Sequence, residues 1–141
     1  MSRSPRQILE QATTIAFVGA SRDPSKDAGA VPAVMQAHAF RVIPVNPYAD
    51  TLFGERVYRT LAAIPEHVDI VDVFRPSAEA ADVARQAVAI GAGAVWLQQD
   101  LVSADARKIV AAAGMDYVED HCIAVERALG QIEHRSPAPG R

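Results

Sequence analysis

The sequence predicts an α/β fold in which helices cover both faces of a five-stranded, mostly parallel sheet. Short and nearly continuous apolar runs recur five times along the chain, and segments with helical apolar spacing separate them. Continuous apolar runs are typical of strands that are buried on both faces of a parallel sheet. A regular alternation of strands and helices requires right-handed crossovers, which place helices on both sides.

A chain of 141 residues is long enough for one domain with a buried core. We predict a single domain over residues 1–132. Residues 133–141 are rich in Pro, Ser, Gly and Arg and show no apolar periodicity, which predicts a disordered tail.

Half of the residues are hydrophobic, 22% are charged, and the formal net charge is −3. This composition lacks the basic excess of a nucleic-acid-binding protein. No apolar run approaches the roughly 20 residues needed to cross a bilayer, and no signal-peptide pattern follows the N-terminus. We therefore expect a cytoplasmic protein that has neither a nucleic-acid partner nor a membrane partner.

Cys122 is the only cysteine, which excludes an internal disulfide and suits a reducing compartment. The four histidines are scattered along the chain, so no zinc-type spacing of ligands can be assembled. We expect no metal site.

The N-terminal half contains the first two predicted strands. The predicted elements are, in order, a short helix over 5–11 capped by Ser4, a strand over 14–18, a helix over 30–38 and a strand over 41–45. Pro44 cannot donate a ladder hydrogen bond, which indicates that it lies either in an edge strand or at the end of a strand. Residues 50–65 form a connection in which Phe53-Gly54 indicates a small turn or ribbon.

The C-terminal half supplies three more strands, over 69–74, 94–97 and 116–118, each followed by a helical pattern. Ser77 is expected to cap the first of these helices, and Ser103 is expected to begin the second. In the last helix, the apolar side chains predicted to face inward are Val125, Ala128, Leu129 and Ile132.

The first strand and the loop after it form the most informative segment. The strand stops at Gly19, and Arg22 and Lys26 follow before the next helix begins. A helix N-terminus presents unpaired amides that can bind an anion. However, Ser21 and Pro24 replace the later glycines of G-x-G-x-x-G, so the motif does not indicate a nicotinamide or flavin cofactor. The alternative reading is an ordinary turn with two solvated cations.

The second strand ends at Asn46, where a dinucleotide fold normally carries an acidic residue for the ribose hydroxyls. A neutral amide tolerates a phosphorylated ribose, which favours such a ligand over NAD. Ligands of parallel sheets bind outside the carboxyl ends of the strands. The residues predicted there are Gly19 to Lys26, Asn46-Pro47, Phe74-Arg75, Gln98 and His121-Cys122. This set contains no catalytic constellation, so it indicates binding of an anionic nucleotide and not an enzyme.

Five segments resemble the stand-alone CoA-binding domain proteins, a family similar to the nucleotide-binding domain at the start of the succinyl-CoA synthetase α subunit. These segments are residues 18–26, 42–47, 71–75, 91–98 and 122–123. The resemblance extends from about residue 8 to residue 126. It implies a Rossmann-like domain whose cofactor is coenzyme A.

The resemblance also implies which residues contact each part of the ligand. The pyrophosphate would be held by Gly19, Ala20, Ser21 and Arg22, with Lys26 adding charge. The adenosine 3′-phosphate would lie along Asn46 and Pro47. The pantetheine path would be lined by Phe74, Arg75 and Gln98, and Cys122 would lie near the thiol. In the synthetase, a second domain carries the histidine that becomes phosphorylated. No such domain is expected here, which implies non-covalent binding of CoA or an acyl-CoA without catalysis by this chain alone.

Three positions depart from the family pattern. Ala39 and the segment Gln99-Asp100 stand where glycines are usual, and His121 stands where an arginine is frequent. Loss of the fixed charge at His121 would weaken CoA binding or make it pH-dependent.

Several alternatives stay open at this stage. One is a CoA-sensing regulatory or interaction module, with a protein partner or a homo-oligomer. Another is a ligase-like or NAD(P)-binding subunit that needs a partner. Cys122 is interpreted either as an inert packing thiol or as a thiol that forms a mixed disulfide with CoA.

Overall fold

A computed structural model describes residues 2–133 of the chain. The helices are α1 (Pro5–Gln11), α2 (Asp27–Ala37), α3 (Ala80–Ala89), α4 (Ala104–Ala112) and α5 (Ile123–Gly130). The strands are β1 (Thr14–Val18), β2 (Arg41–Val45), β3 (Thr51–Leu52), β4 (Glu55–Arg56), β5 (Ile70–Val73), β6 (Ala94–Leu97) and β7 (Asp116–Val118). Short 3-10 turns lie at Leu61–Ala63 and Ser77–Glu79. The predicted tail, apart from Glu133, lies outside the described residues.

The main sheet has five parallel strands in the order β2-β1-β5-β6-β7, which confirms the predicted fold class. The chain runs from β1 outward to β2 and then crosses back to β5 on the other side of β1. The switch point of the topology therefore lies between β1 and β5, where open α/β sheets bind ligands. Pro44 lies in β2, the outermost strand on that side, which is one of its two predicted placements. The predicted ribbon is the antiparallel pair β3 and β4.

Helices cover both faces of the sheet and build two cores. On one face, α1, α2 and α5 bury a cluster that includes Leu9, Phe17 and Trp96. On the other face, α3 and α4 bury a cluster that includes Val71 and Val95. Complete burial of each large apolar side chain contributes roughly 1.5–3 kcal/mol, so these two layers hold the strand ends in place.

Of the two predicted serine caps, the one at Ser4 is confirmed, and Ser103, predicted to begin a helix, is the N-cap of α4. The Ser4 hydroxyl accepts a hydrogen bond from the Gln7 amide at 3.2 Å, and the Ser103 hydroxyl accepts one from the Ala106 amide at 3.1 Å. The prediction for Ser77 is wrong, because a 3-10 turn precedes α3 and moves its start to Ala80. The Ser77 hydroxyl instead accepts a hydrogen bond from the Val102 amide at 3.1 Å.

The predicted inward face of the last helix is also wrong. Val125 and Leu129 are 52% and 74% exposed, whereas Ile123 is fully buried at the start of α5. Only Ile132 follows the prediction, and it lies beyond the helix. Gln131 adopts a left-handed conformation (φ 52°) that ends α5 and lets Ile132 return to the core.

Two of the positions that depart from the family pattern have left-handed backbones. Ala39 has φ 66° in the turn between α2 and β2, and Asp100 has φ 73° after β6. A left-handed conformation costs an L-residue about 1–2 kcal/mol, which explains why glycine is usual at both sites. The Asp100 amide donates a hydrogen bond to the Asp120 carboxylate at 2.7 Å, which stabilises this turn.

The central strand carries a buried acid. Asp72 of β5 is completely buried, and its backbone partners in the neighbouring strands are Phe17 and Trp96. Neither of its carboxyl oxygens has a hydrogen-bond partner within residues 2–133. Burial raises the pKa of the Asp72 carboxyl well above its usual range, against a smaller opposing effect of the Val73 amide. The side chain is therefore neutral over a wider pH range than an exposed aspartate.

Candidate ligand-binding groove

Two cavities that share three lining residues lie at the carboxyl ends of β1, β2 and β5, and we refer to them together as the groove. The first, the α3 lobe, has a volume of about 480 Å³ and is lined on one side by Glu79, Asp82 and Gln86 of α3 and the turn before it. The second, the loop lobe, has a volume of about 410 Å³ and is lined by residues that include Ala20, Ser21, Arg22 and Leu52. Both lobes share Gly19, Asn46 and Tyr48. The groove therefore lies at the switch point.

Gly19 forms the floor where the two lobes meet. Its φ of +89° is one that L side chains rarely adopt, and its amide donates a hydrogen bond to the Val45 carbonyl at 3.0 Å. A methyl group added there would lie 2.9 Å from Cδ of Arg75 and 3.4 Å from the carbonyl carbon of Phe74. Only glycine lets the loops after β1 and β5 approach this closely.

The loop after Gly19 folds back on itself and on the start of α2. The Ser21 amide donates to the Ala28 carbonyl at 3.0 Å, and the Lys26 amide donates to the Asp23 carbonyl at 3.1 Å. The amide and hydroxyl of Ser25 both donate to the Asp23 carboxylate, which lowers the pKa of Asp23. The loop is thus held by its own hydrogen bonds.

Asn46 joins the loops that follow β1 and β2. Its Nδ2 donates to the Ala20 carbonyl at 2.8 Å, and its Oδ1 accepts hydrogen bonds from the amides of Tyr48 (2.7 Å) and Ala49 (2.9 Å). A carboxylate could not donate to the Ala20 carbonyl. The neutral amide at this position is therefore required by the frame of the groove, in addition to its predicted effect on ribose recognition.

Arg59 lines the α3 lobe and was not among the residues selected from the sequence. Its guanidinium donates to the carbonyls of Ala49 and Asn46 and pairs with the Asp50 carboxylate at 2.8 Å. It lies there because Tyr58 forms a bridge with Val45 at the edge of β2. The only sequence signal for Arg59 was the short apolar pair Val57-Tyr58, which precedes it in the connection over residues 50–65.

Arg75 lies on the opposite side of the α3 lobe and forms a two-point ion pair. Its Nε and Nη2 donate to Oε1 and Oε2 of Glu79 at 3.2 and 3.0 Å. Together with Arg59 and Asp82, this pair gives the lobe two cations and two acids. Arg22, in the loop lobe, forms no ion pair with any residue from 2 to 133. The loop lobe is therefore the more electropositive half of the groove.

The groove brings together only part of the predicted site. The predicted residues that line it are Gly19, Ala20, Ser21, Arg22, Asn46, Pro47 and Arg75. Lys26, Phe74, Gln98 and Cys122 do not line either lobe. Ligand contacts by any residue of either group stay predictions.

The four predicted residues outside the groove lie at the ends of strands or at the starts of helices. Lys26 precedes α2 as its N-cap and is exposed. Phe74 packs near Phe17, with ring centroids 6.1 Å apart. Gln98 is buried, and its Oε1 accepts a hydrogen bond from the Ile123 amide at 3.0 Å, which caps α5. Cys122 is the half-buried N-cap of the same helix.

Among residues 2–133, no helix combines the length and apolar character needed to cross a bilayer. No group of three or more His, Cys, Asp or Glu side chains in this range is arranged to hold a metal ion.

Comparison with known protein families matches residues 13–128 to the family described as "CoA binding domain". The chain belongs to this family. It is 34% identical over 124 residues to the uncharacterized protein YneT of Bacillus subtilis, which covers 88% of this chain and 92% of YneT. The family resemblance predicted from the five sequence segments is thus confirmed.

Solved structures of similar size share the fold. A Thermus thermophilus protein, cell-free ID.343, has a TM-score of 0.84 at 39% identity and covers 89% of this chain and 95% of its own. A hypothetical protein from Pyrococcus horikoshii OT3 has a TM-score of 0.87 at 31% identity, with 91% and 90% covered. The dinucleotide-forming acetyl-coenzyme A synthetase 1 of Ca. Korarchaeum cryptofilum, in its apo form, has a TM-score of 0.65 at 25% identity. That match covers 77% of this chain and 26% of the synthetase chain.

Proposed function

We propose that this protein binds coenzyme A, or an acyl-CoA, non-covalently in the groove and catalyses no reaction on its own. The observation that carries the proposal is the pair of lobes that share Gly19 and Asn46 beside the switch point. An extended ligand that passed these two residues would contact both lobes. Membership of the CoA binding domain family supports the choice of ligand class.

The charges of the groove support one orientation of that ligand. CoA carries about four negative charges at neutral pH. Of the three arginines that line the groove, Arg22 alone forms no ion pair with a residue from 2 to 133, whereas the α3 lobe contains Glu79 and Asp82. We therefore assign the phosphates to the side of Gly19 and Arg22, with Arg75 within reach across the floor.

The hydrogen bonds of the groove support a binding role. Asn46, Arg59 and Ser21 all use their polar side-chain atoms to hold backbone groups of the surrounding loops. Such side chains form a rigid frame, and a preorganised frame lowers the entropic cost of binding.

Isothermal titration calorimetry with CoA and dephospho-CoA tests the proposal. We expect CoA to bind about tenfold more tightly, because the 3′-phosphate adds charge-assisted hydrogen bonds. We also expect Arg22→Gln to weaken CoA binding about tenfold. Arg85→Gln, on the exposed face of α3 and outside the groove, is the matched control and should leave the affinity unchanged.

Two results would count against different parts of this account. Equal affinity for CoA and dephospho-CoA would contradict the assignment of a 3′-phosphate site near Asn46 and Pro47. A wild-type protein that binds neither compound would contradict the proposed function itself.

A further inference from the structure

This inference rests on the proposed function and concerns the side chain of Arg75. Its guanidinium forms a fork-to-fork ion pair with Glu79, four residues later, through contacts of 3.2 and 3.0 Å. Both side chains line the α3 lobe, in which the ligand is proposed to bind. In the ligand-free protein, the Nε–H and Nη2–H groups of Arg75, which could bind an anionic ligand, thus donate to the Glu79 carboxylate instead.

The aliphatic part of the Arg75 side chain is held by packing, whereas its guanidinium is exposed to solvent. Its Cδ and Cγ lie against the Gly19 backbone, where an added methyl group would be 2.9 and 3.4 Å away. The side chains of Arg75 and Glu79 remain 48% and 49% exposed. Exposed pairs of this kind contribute little to stability, so the guanidinium can exchange partners at low cost.

A phosphate group at the Gly19 turn would be a stronger partner than Glu79. Arginine binds phosphate through the same two-point geometry that it uses for a carboxylate, and phosphate carries more charge and more acceptor oxygens. We propose that Glu79 is a latch: it holds Arg75 in the ligand-free protein and lowers the affinity for CoA. The diphosphate of CoA displaces Glu79 and takes over Arg75.

Asp82 provides a comparison that distinguishes the effect of the latch from general charge repulsion of the ligand. It lies on the same wall of the α3 lobe but accepts a hydrogen bond from Gln86 at 2.9 Å and does not pair with Arg75. Glu79 and Asp82 both repel an anionic ligand, but only Glu79 occupies Arg75. Removal of each charge in turn, with and without Arg75, therefore distinguishes the two effects.

The experiment is a double-mutant cycle measured by calorimetric titration with CoA. We expect Glu79→Gln to tighten CoA binding two- to fivefold and Arg75→Gln to weaken it. In the Arg75→Gln background, Glu79→Gln should tighten binding only slightly, about as much as Asp82→Asn, because only charge repulsion remains to be removed. Asp82→Asn should have the same small effect in both backgrounds. Thermal unfolding of each variant verifies that it is folded.

An equal gain from Glu79→Gln with and without Arg75, or no gain at all, would overturn the latch while CoA binding by the wild type still stood. A wild type that does not bind CoA would overturn both the latch and the proposed function. If Glu79→Gln failed to fold, the NMR resonance of the Arg75 Nε–H group in the wild type would test the latch. It should shift when CoA is added, and an unchanged resonance in a CoA-saturated protein would overturn the latch.

Discussion

Replacing Gly29 with alanine is expected to lower the free energy of unfolding by about 3 kcal/mol and to weaken CoA binding at least tenfold. The added methyl group would lie 2.1 Å from the Asp23 carbonyl oxygen and 3.0 Å from that of Ser21. Both atoms belong to the backbone of the loop after β1, so no side-chain rotation can relieve the overlap. The loop must move away from α2, and the loop lobe must change shape with it. Urea denaturation and calorimetric titration with CoA measure the two effects.

Gly91→Ala is the matched control for this prediction. Gly91 has φ +71° but open space around its Cα, and it precedes β6, far from the carboxyl ends of the strands. The control should cost only about 1 kcal/mol, from backbone strain, and leave CoA affinity unchanged. A near-normal affinity for CoA in a folded Gly29→Ala variant would show that CoA binding does not depend on the loop after β1.

The second large effect is expected at Asp72 and depends on pH. Its carboxyl is fully buried without a hydrogen-bond partner among the described residues, and burial raises its pKa well above the usual range. Above about pH 4, the unfolded chain releases this proton while the folded protein retains it. Stability from this group is therefore complete below the unfolded pKa and is lost as the pH rises toward the folded pKa, by about 1.4 kcal/mol per pH unit.

Asp72→Asn removes that proton equilibrium and keeps the shape of the side chain. We expect the variant to match the wild type near pH 4 and to exceed it in unfolding free energy by a growing margin as the pH rises to 7. Denaturant midpoints measured across this range test the expectation. Asp105→Asn, at an exposed position of α4, should differ from the wild type by a constant amount. Parallel profiles for the wild type and Asp72→Asn would contradict a neutral, buried carboxyl.

Much of the fold could be predicted because local patterns determine it. Apolar runs such as Thr14–Val18 and Ala94–Leu97 have few ways to be buried other than as central strands. The missing amide of Pro44 correctly limited it to an edge strand or a strand end. The last helix was predicted wrongly because eight residues give too short a pattern to fix its inward face, and the left-handed turn at Gln131 carries no clear sequence signal.

The groove was harder to predict because it depends on distances between remote segments. Arg59 enters the α3 lobe through the bridge between Val45 and Tyr58, which no local pattern specifies. The pair of Arg75 and Glu79 has helical spacing, but its position against Gly19 follows only from the order of the strands. Conversely, Gln98 was selected because it ends a strand, and its side chain instead caps α5.

A crystal structure of the protein grown with CoA tests the central claim most directly. We expect the diphosphate at the floor of the groove, within hydrogen-bond distance of the Arg22 guanidinium and of the backbone amides of Ala20 and Arg22. We also expect Arg75 to be turned from Glu79 toward a phosphate oxygen. CoA bound elsewhere on the protein, or an empty groove with Arg22 pointing into solvent at saturating CoA, would contradict it.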